Sequence, residues 1–158
     1  MLLGQRNPLG MGFIVDDGAK ILVADDDPIM REFAVLHMSS PQVIVETAED
    51  GQQAWDMLEQ GDFDLAMLDL DMPRLDGLGL IMRIRADERL AALPVVVATG
   101  RDDLFAIDRA YEVGATSYVT KPINWRLLTY QLRFVLRADR AAKAAALASH
   151  SSSGVAAA

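Results

Sequence analysis

The stretch that decides the fold is residues 65–77, which read LAMLDLDMPRLDG. Its first four residues are apolar and contiguous, a pattern typical of a strand that is covered on both faces, as in a parallel sheet. Carboxylates follow the run at once, at Asp69 and Asp71, and apolar residues at helical spacing resume after Gly77. The stretch therefore predicts a buried strand that ends in acids and leads through a turn into a helix.

Four other apolar runs of the same kind lie along the chain, and a segment with helical periodicity follows each one. They are residues 21–24, 43–45, 95–98 and 117–119. Five buried strands that alternate with five helices predict a doubly wound α/β fold with a five-stranded parallel sheet. We expect the flavodoxin-like strand order 2-1-3-4-5, in which ligands collect beyond the carboxyl ends of the central strands.

The ends of the helices carry their own signals. Asp27 stands directly before Pro28, which predicts a helix N-cap followed by a proline in the first turn. Similar signals predict helix starts at Asp50, after Gly77, at Asp102 or Asp103 and near Asn124, and helix ends at Gly61 and Gly114. Each predicted strand is therefore linked to the next one by a helix.

Length and composition limit the number of domains. The chain has 158 residues, of which 51% are hydrophobic, enough for one compact domain and too few for two ordinary ones. The segment 139–158 is rich in alanine and serine and buries too little to fold alone. We therefore predict an N-terminal extension over 1–19, one domain over 20–138, and a helical extension or linker over 139–158.

Composition and hydropathy exclude several classes of function. Acidic residues number 23 against 15 Lys and Arg, which argues against nucleic acid as a direct partner. Cysteine is absent, so disulfides, Cys-ligated metals and thiol catalysis are excluded. No run reaches the roughly 18 apolar residues of a membrane helix, and Arg6, Asn7 and Pro8 interrupt any signal-peptide core. We expect a soluble cytoplasmic protein without a membrane partner.

Three carboxylates are predicted to converge at one edge of the sheet. Asp25 and Asp26 follow the first strand and Asp69 follows the third, and these strands are neighbours in the expected order. Acids brought this close repel one another strongly, so a cation is needed between them. Magnesium suits such a site, because it takes one or two carboxylates, keeps waters and coordinates a phosphate. Asp27 is instead interpreted as a helix cap, since Pro28 follows it.

Two more polar side chains follow the remaining core strands. Thr99 comes after the fourth strand with Gly100 beside it, and Lys121 comes after the fifth strand and before Pro122. A threonine hydroxyl can donate to a phosphoryl oxygen, and a lysine ammonium can hold another while it partly neutralises the acids. Together with the carboxylates, these residues predict a site for a phosphoryl group.

The ordered set of motifs resembles the receiver domain of two-component response regulators, the CheY-like family. The resemblance covers roughly residues 20–138. Thr99 lies thirty residues and Lys121 fifty-two residues after Asp69, spacings similar to those of the family. The motifs that carry the resemblance are residues 21–27 (ILVADDD), 68–77 (LDLDMPRLDG), 98–100 (ATG), 114–115 (GA), Tyr118 and 121–122 (KP).

The resemblance implies a role for each residue of the site. Asp69 accepts a phosphoryl group from a histidine kinase or a histidine phosphotransfer protein and forms an acyl phosphate. Asp26 and Asp69 bind magnesium directly, together with the main-chain carbonyl of Asp71, and Asp25 holds a metal-bound water. Lys121 pairs with Asp69 before the reaction and with the phosphoryl group afterwards.

The resemblance also implies a switch. Thr99 is the switch hydroxyl, and Tyr118 is the aromatic residue whose ring turns inward when that hydroxyl moves to the phosphoryl group. The peptide bond between Lys121 and Pro122 is expected to be cis. At the two positions that tune the lifetime of the acyl phosphate the chain carries Asp71 and Arg101, an acid and a base that we expect to pair over the mouth of the site.

Two other functions compete with this interpretation. A phosphatase of the haloacid dehalogenase type also uses an aspartyl phosphate and magnesium, and residues 69–71 resemble its Asp-x-Asp nucleophile pair. That family, however, needs the pair on its first core strand and usually a cap over the site. The second alternative is a receiver that only docks proteins and is never phosphorylated. In the favoured interpretation the protein is not an enzyme, beyond catalysing its own phosphorylation and slow dephosphorylation.

The last two helices predict how the protein signals. Thr99 and Tyr118 should lie beneath the face made by the fourth helix (about Asp103 to Glu112), the fifth strand and the fifth helix. Acids on the fourth helix and arginines on the fifth can match across a twofold axis, so we expect a homodimer through this face. Residues 125–137 run into the alanine-rich segment and resemble receivers that precede a covalently linked output domain, such as a diguanylate cyclase.

Overall fold

The computed structural model describes residues 18–155, with the side chains of residues 18–150. Most of the predicted N-terminal extension therefore lies outside the described residues, and its last residue, Ala19, already belongs to the first strand. Strands and helices alternate along the chain in the order β1 (Ala19–Ala24), α1 (Pro28–Met38), β2 (Val43–Ala48), α2 (Gly51–Gln60), β3 (Leu65–Leu68), α3 (Gly77–Ala86), β4 (Val95–Thr99), α4 (Leu104–Val113), β5 (Ser117–Thr120) and α5 (Trp125–Val155).

The five strands form one parallel sheet in the order β2-β1-β3-β4-β5, which confirms the predicted topology. The register pairs Ala24 at the end of β1 with Leu68 at the end of β3. A backbone hydrogen bond from Asp69 N to Ala24 O, 3.0 Å long, extends this pairing by one residue. The residues that follow β1 and β3 are therefore held side by side at one edge of the sheet.

Helices cover both faces of the sheet. On one face α2, α3 and α4 pack on Leu22, Ala24 and other strand residues of the same orientation. On the other face α1 and α5 pack on Ile21 and Val23 together with their counterparts in the other strands. Consecutive residues of a strand point to opposite faces, and both faces are covered. This is the physical reason why the central strands β1, β3 and β4 carry continuous apolar runs. The prediction of five buried strands is wrong for the two edge strands, because β2 and β5 are partly exposed and contain polar residues.

The predicted helix signals coincide with the observed helix ends. Asp27 accepts a hydrogen bond from Ile29 N at 2.9 Å, and Asp50 accepts one from Gln53 N at 2.7 Å. Between the two candidates for α4, Asp103 is the cap, since it accepts from Ala106 N. Gly114 ends α4 in the left-handed conformation, with φ 115°, and the peptide bond between Lys121 and Pro122 is cis as expected.

The helix α5 is longer than the domain it covers. Leu128, Leu132 and Leu136 are buried against the sheet, and Arg140 still donates to the carbonyl of Gly18. Residues 141–150 continue the helix with exposed side chains, over part of the segment for which a helical extension or a linker is predicted. Within residues 18–155, none of the helices combines the length and the apolar character that spanning a lipid bilayer requires.

The Arg85 side chain, at the end of α3, links two segments that lie just before β4 and β5. The Arg85 guanidinium donates to Gly114 O from Nε at 2.9 Å and to Leu93 O from Nη1 at 2.6 Å. Burial lowers the pKa of this guanidinium, although an arginine stays charged in proteins. The contact joins the end of α4 to the loop before β4, and no pattern in the sequence predicts it.

Candidate functional site

The candidate site lies where four strands end at the carboxyl edge of the sheet. Asp25 follows β1, Asp69 follows β3, Thr99 ends β4 and Lys121 follows β5. A backbone hydrogen bond from Lys121 N to Thr99 O, 2.8 Å long, fixes the last two strand ends relative to each other. The sheet therefore brings together all four residues that the sequence predicts at this edge.

The ammonium group of Lys121 bridges two buried carboxylates. Its Nζ atom lies 2.6 Å from Asp25 Oδ2 and 2.7 Å from Asp69 Oδ2. Asp25 is 2% exposed and Asp69 is 7% exposed, so water does little to separate their charges. The pairing of Lys121 with Asp69 agrees with the predicted role, whereas the equally short bond to Asp25 was not predicted.

The pKa values of the bridge follow from burial and from the bridge itself. Burial raises the pKa of Asp25 above its usual value, although the hydrogen bond from Lys121 acts in the opposite direction. Burial alone would lower the pKa of Lys121, but its hydrogen bonds to Asp25 and Asp69 outweigh that effect, and the pKa is raised. The lysine therefore keeps its proton and supplies a positive charge between the two acids.

Backbone groups hold the remaining oxygen of each carboxylate. Asp25 Oδ1 accepts from Asp27 N at 2.9 Å, and Asp69 Oδ1 accepts from Asp71 N at 3.1 Å. Arg31 on α1 donates to the carbonyl of Asp25 at 2.8 Å. These bonds orient the acids, and Arg31 is a supporting residue that sequence reasoning missed because nothing marks it apart from other helix arginines.

The acids form a cluster that suits a hard divalent cation. Carboxylate oxygens of Asp25, Asp26 and Asp69 all lie within 4.8 Å of one another. Asp26 is exposed while the other two are buried, so the cluster opens to solvent on one side. Oxygen donors on an open edge fit magnesium, which keeps several waters and uses few protein ligands. The residues present therefore fit the predicted metal.

Thr99 is fully buried and its hydroxyl group lacks a partner. Among the described residues, Thr99 Oγ1 is the buried side-chain polar atom without a hydrogen bond, and the residue is 0% exposed. A buried unsatisfied hydroxyl costs stability, so its presence calls for an explanation. Beside it, a Cβ built on Gly100 would meet no atom within 4 Å, which leaves open the space that the sequence assigns to a phosphate.

A charged cover lies over the mouth of the site. Arg101 Nη1 is 3.9 Å from Asp71 Oδ1, and Arg101 Nε is 3.6 Å from Asp103 Oδ1. The first of these contacts is the predicted pair of an acid and a base. The Tyr118 hydroxyl donates to the carbonyl of Arg101 at 2.6 Å. Burial, with a contribution from Asp103, raises the pKa of the Tyr118 phenol, so Arg101 connects the site to the predicted switch tyrosine.

The start of α3 touches the backbone of Asp69. A Cβ built on Gly77 would lie 2.3 Å from the carbonyl oxygen of Asp69, and Gly77 N donates to Leu70 O at 2.9 Å. Only glycine permits an approach this close. Gly77 is therefore required for the packing of α3 against Asp69, whereas Asp76 caps the helix by accepting from Gly79 N.

The fold and the site together define a class of protein. A doubly wound sheet in this strand order, with three acids, a lysine and a threonine at its carboxyl edge, is the arrangement of a receiver domain. The chain belongs to the response regulator receiver domain family, whose family model matches residues 21–133. A receiver domain is a signalling module and not an enzyme in the ordinary sense. The phosphatase alternative is therefore wrong.

Relatives of known function support the same family. The DNA-binding dual master transcriptional regulator RpaA of Synechocystis is 33% identical over 127 residues, which are 80% of this chain and 53% of the relative. The heme response regulator HssR of Staphylococcus aureus is 34% identical over 116 residues, 73% of this chain and 50% of the relative. The chain therefore spans about half the length of these relatives.

Solved structures agree with the fold. The chemotaxis protein CheY4 of Vibrio cholerae is 27% identical and has a TM-score of 0.71, with 75% of this chain and 98% of that chain covered. The phosphorylated cyanobacterial phytochrome response regulator RcpA is 28% identical and has a TM-score of 0.63, with 75% and 91% covered. Phosphorylation by a histidine kinase is the general function of the family, and its members generally bind magnesium at an acidic pocket.

The unsatisfied hydroxyl of Thr99 should lower the free energy of unfolding of the unmodified protein. Thr99→Val replaces the hydroxyl by a methyl group of similar size and removes the unpaired polar atom, so we expect the free energy of unfolding to rise by about 1 kcal/mol. Thr99→Ala leaves a cavity in place of the side chain and should lower it. Urea denaturation of the unmodified protein measures both changes, and a Thr99→Val protein less stable than Thr99→Ala would contradict the assignment of an unpaired hydroxyl.

Proposed function

We propose that the protein is a phosphorylation-controlled switch in which Asp69 accepts the phosphoryl group. The observation that carries the proposal is the bridge of Lys121 between Asp25 and Asp69, 2.6 and 2.7 Å from their oxygens. The bridge leaves Asp69 with one oxygen on a backbone N–H and the other on an ammonium group. Asp25 is held in the same way, and the match of residues 68–77 to the motif of the family supports Asp69 as the acceptor. Such a carboxylate is both oriented and near a positive charge, as an attacking nucleophile of phosphoryl transfer requires.

The transfer conserves charge and atoms. A phosphohistidine of a histidine kinase or of a histidine phosphotransfer protein is the donor, and an Asp69 carboxylate oxygen attacks its phosphorus. The P–N bond breaks, the imidazole keeps the electron pair and takes up a proton, and a P–O bond to Asp69 forms. Lys121, released from Asp69, then holds a phosphoryl oxygen. Slow attack by water on the acyl phosphate returns the carboxylate and inorganic phosphate.

Magnesium completes the proposed site. Asp26, Asp69 and the main-chain carbonyl of Asp71 would hold it directly, and Asp25 would hold one of its waters. When bound, the ion supplies positive charge that offsets the charge of the phosphoryl oxygens. The oxygen cluster within 4.8 Å supports this assignment. The ion pair of Arg101 with Asp71 lies beside these groups, and we propose that it hinders water from reaching the acyl phosphate.

Thr99 and Tyr118 are proposed to report phosphorylation. The unpaired hydroxyl of Thr99 gains an acceptor when a phosphoryl oxygen is present. Movement of the threonine leaves space that the ring of Tyr118 can enter, while the hydroxyl of Tyr118 already contacts the Arg101 carbonyl. The switch therefore connects the buried site to the face made by α4, β5 and α5.

If Asp69 is the acceptor, its carboxylate is required for phosphorylation. Asp69→Asn should abolish phosphorylation by acetyl phosphate, and the wild-type protein should be phosphorylated only when magnesium is present. Intact-protein mass spectrometry measures the mass increase of one phosphoryl group, and Asp62→Asn on the exposed α2–β3 loop is the matched control. A wild-type protein that never gains this mass would favour a receiver used only for docking. Label at the wild-type rate in Asp69→Asn would exclude Asp69 as the main acceptor.

The face made by α4, β5 and α5 is proposed to bind a second copy of the chain. Asp102, Asp103 and Asp108 are exposed at and along α4, and Arg126 and Arg137 are exposed along α5. A twofold axis can place the acids of one copy against the bases of the other. Leu132 is fully buried against the sheet and contributes nothing to this face.

Dimerisation should depend on phosphorylation and on charge. Sedimentation velocity is expected to show a monomer for the unmodified protein and a dimer with the phosphate mimic beryllium fluoride, weaker at moderate salt than at low salt. Arg137→Glu should prevent the dimer, whereas Arg83→Glu, the same change on the exposed surface of α3, should not. A mass that stays monomeric in every condition would contradict the proposal.

The proposed domain layout follows from the helix that leaves the domain. We propose that the receiver spans residues 20–138 and that the segment 139–158 connects it to an output, with a diguanylate cyclase as one candidate. α5 continues through Val155 without interruption, so a movement at the output face can be passed along this helix. Curated relatives of which this chain spans only about half the length are consistent with such an arrangement.

A further inference from the structure

Residues 70–76, which belong to the loop between β3 and α3, are packed against the start of α2. A Cβ built on Gly51 would lie 1.8 Å from the carbonyl oxygen of Leu75, so the backbones of α2 and of this loop touch there. Gly51 and the N-cap Asp50 are both buried. The position of the 70–76 loop therefore depends on the first turn of α2.

Arg74, in the same loop, has an unfavourable backbone conformation. Its φ is 68°, and it is the non-glycine residue with positive φ among residues 18–155. A residue with a Cβ is strained in this region, and a glycine is not. Such strain persists only where surrounding contacts compensate for it.

An ion pair supplies one of those contacts. Arg74 Nη1 lies 3.6 Å from Asp50 Oδ2, and the Asp50 side chain is 4% exposed. The other oxygen of Asp50 accepts from Gln53 N at 2.7 Å, so the helix cap fixes the carboxylate that the arginine contacts. Arg74 itself reaches in from solvent, with 71% of its side chain exposed.

The far end of the loop reaches the phosphorylation site. Asp71 N donates to Asp69 Oδ1 at 3.1 Å, and the carbonyl of Asp71 is the proposed main-chain ligand of magnesium. A displacement of the 70–76 loop would move both backbone groups together. The contact between Arg74 and Asp50 is therefore placed to control how Asp69 and the metal ligands are oriented.

We propose that Arg74 is a positioning residue for phosphoryl transfer, because its ion pair with Asp50 holds the 70–76 loop in the geometry that keeps the backbone of Asp71 on Asp69. The proposal rests on the proposed function of Asp69. It assigns a role to a side chain that touches neither the metal ligands nor the phosphoryl group. A purely structural role would change the melting temperature, whereas a positioning role changes magnesium binding and phosphorylation. A glycine variant separates the two effects.

The decisive variant is Arg74→Gly, which relieves the backbone strain while it removes the guanidinium. We expect its melting temperature to equal or exceed that of the wild-type protein, and its magnesium dissociation constant to rise about 3- to 10-fold. The rate of phosphorylation by acetyl phosphate at subsaturating magnesium should fall by a similar factor. Arg74→Lys, which keeps a cation, should retain both properties within about twofold.

A double-mutant cycle tests the partner. Asp50→Asn keeps the oxygen that caps α2 but loses the charge, and it should weaken magnesium binding as Arg74→Gly does. If the two side chains act through one contact, the double variant is no weaker than either single variant. Isothermal titration calorimetry with magnesium alone gives the binding constants, and circular dichroism gives the melting temperatures.

Two results would overturn the proposal. The first is an Arg74→Gly protein that binds magnesium and accepts phosphate as the wild-type protein does. The second is a double variant whose losses are the product of the single losses, which would mean that Arg74 and Asp50 act independently. Failure of the proposed function is distinguishable, because a wild-type protein that is never phosphorylated fails in the acetyl phosphate assay while the magnesium titrations still compare the variants.

Discussion

The ammonium of Lys121 between the carboxylates of Asp25 and Asp69 is the interaction on which the site depends. Two carboxylates that are almost excluded from water repel each other, and removing a partner from a buried ion pair costs about 3–5 kcal/mol. The bridge is possible only because β1 and β3 are adjacent and the sheet register aligns their ends. Lys121 follows β5, and β4 lies between β5 and β3 in the sheet. The long side chain of the lysine therefore crosses the end of β4 to reach the two carboxylates.

Thr99 ends β4, the strand that the lysine crosses. Its hydroxyl is buried and has no hydrogen-bond partner among the described residues. The unmodified protein thus retains an unfavourable group next to a charged one. A phosphoryl group on Asp69 would give the hydroxyl an acceptor and the ammonium a new anion at once. The unpaired hydroxyl lowers the stability of the unmodified protein and would be paired in the phosphorylated one. The two states therefore differ in free energy at this position, which a switch requires.

The contacts of Arg101 show how a change at the site can reach α4 and β5. Arg101 contacts Asp71 beside the acids, Asp103 at the start of α4, and Tyr118 on β5. Each of these contacts is exposed or half-exposed, so each is weak enough to be exchanged. Arg85, by contrast, fixes the other end of α4 through the Gly114 carbonyl. A change at the site is therefore expected to act on the start of α4 more than on its end.

Much of the fold and of the site could be predicted from the sequence, because strands, helix caps and strand-end acids each have a local sequence pattern. The apolar runs gave the five strands, and their order placed Asp25, Asp69, Thr99 and Lys121 at one edge. Other contacts made by long side chains could not be predicted. The bond from Lys121 to Asp25 joins residues 96 positions apart, and the pair of Arg74 with Asp50 needs a left-handed backbone that no local pattern marks. The choice between Asp102 and Asp103 stayed open because either residue type can cap a helix.

Lys121 neutralises the acids that would also hold magnesium, and calorimetric titration of Lys121→Met with magnesium tests this role most directly. Methionine keeps much of the apolar stem and removes the charge, so the ion no longer competes with an ammonium for the same carboxylates. We predict that magnesium binds about 10-fold more tightly to Lys121→Met than to the wild-type protein, while Lys143→Met on the exposed part of α5 leaves binding unchanged. Equal or weaker binding to folded Lys121→Met would contradict it.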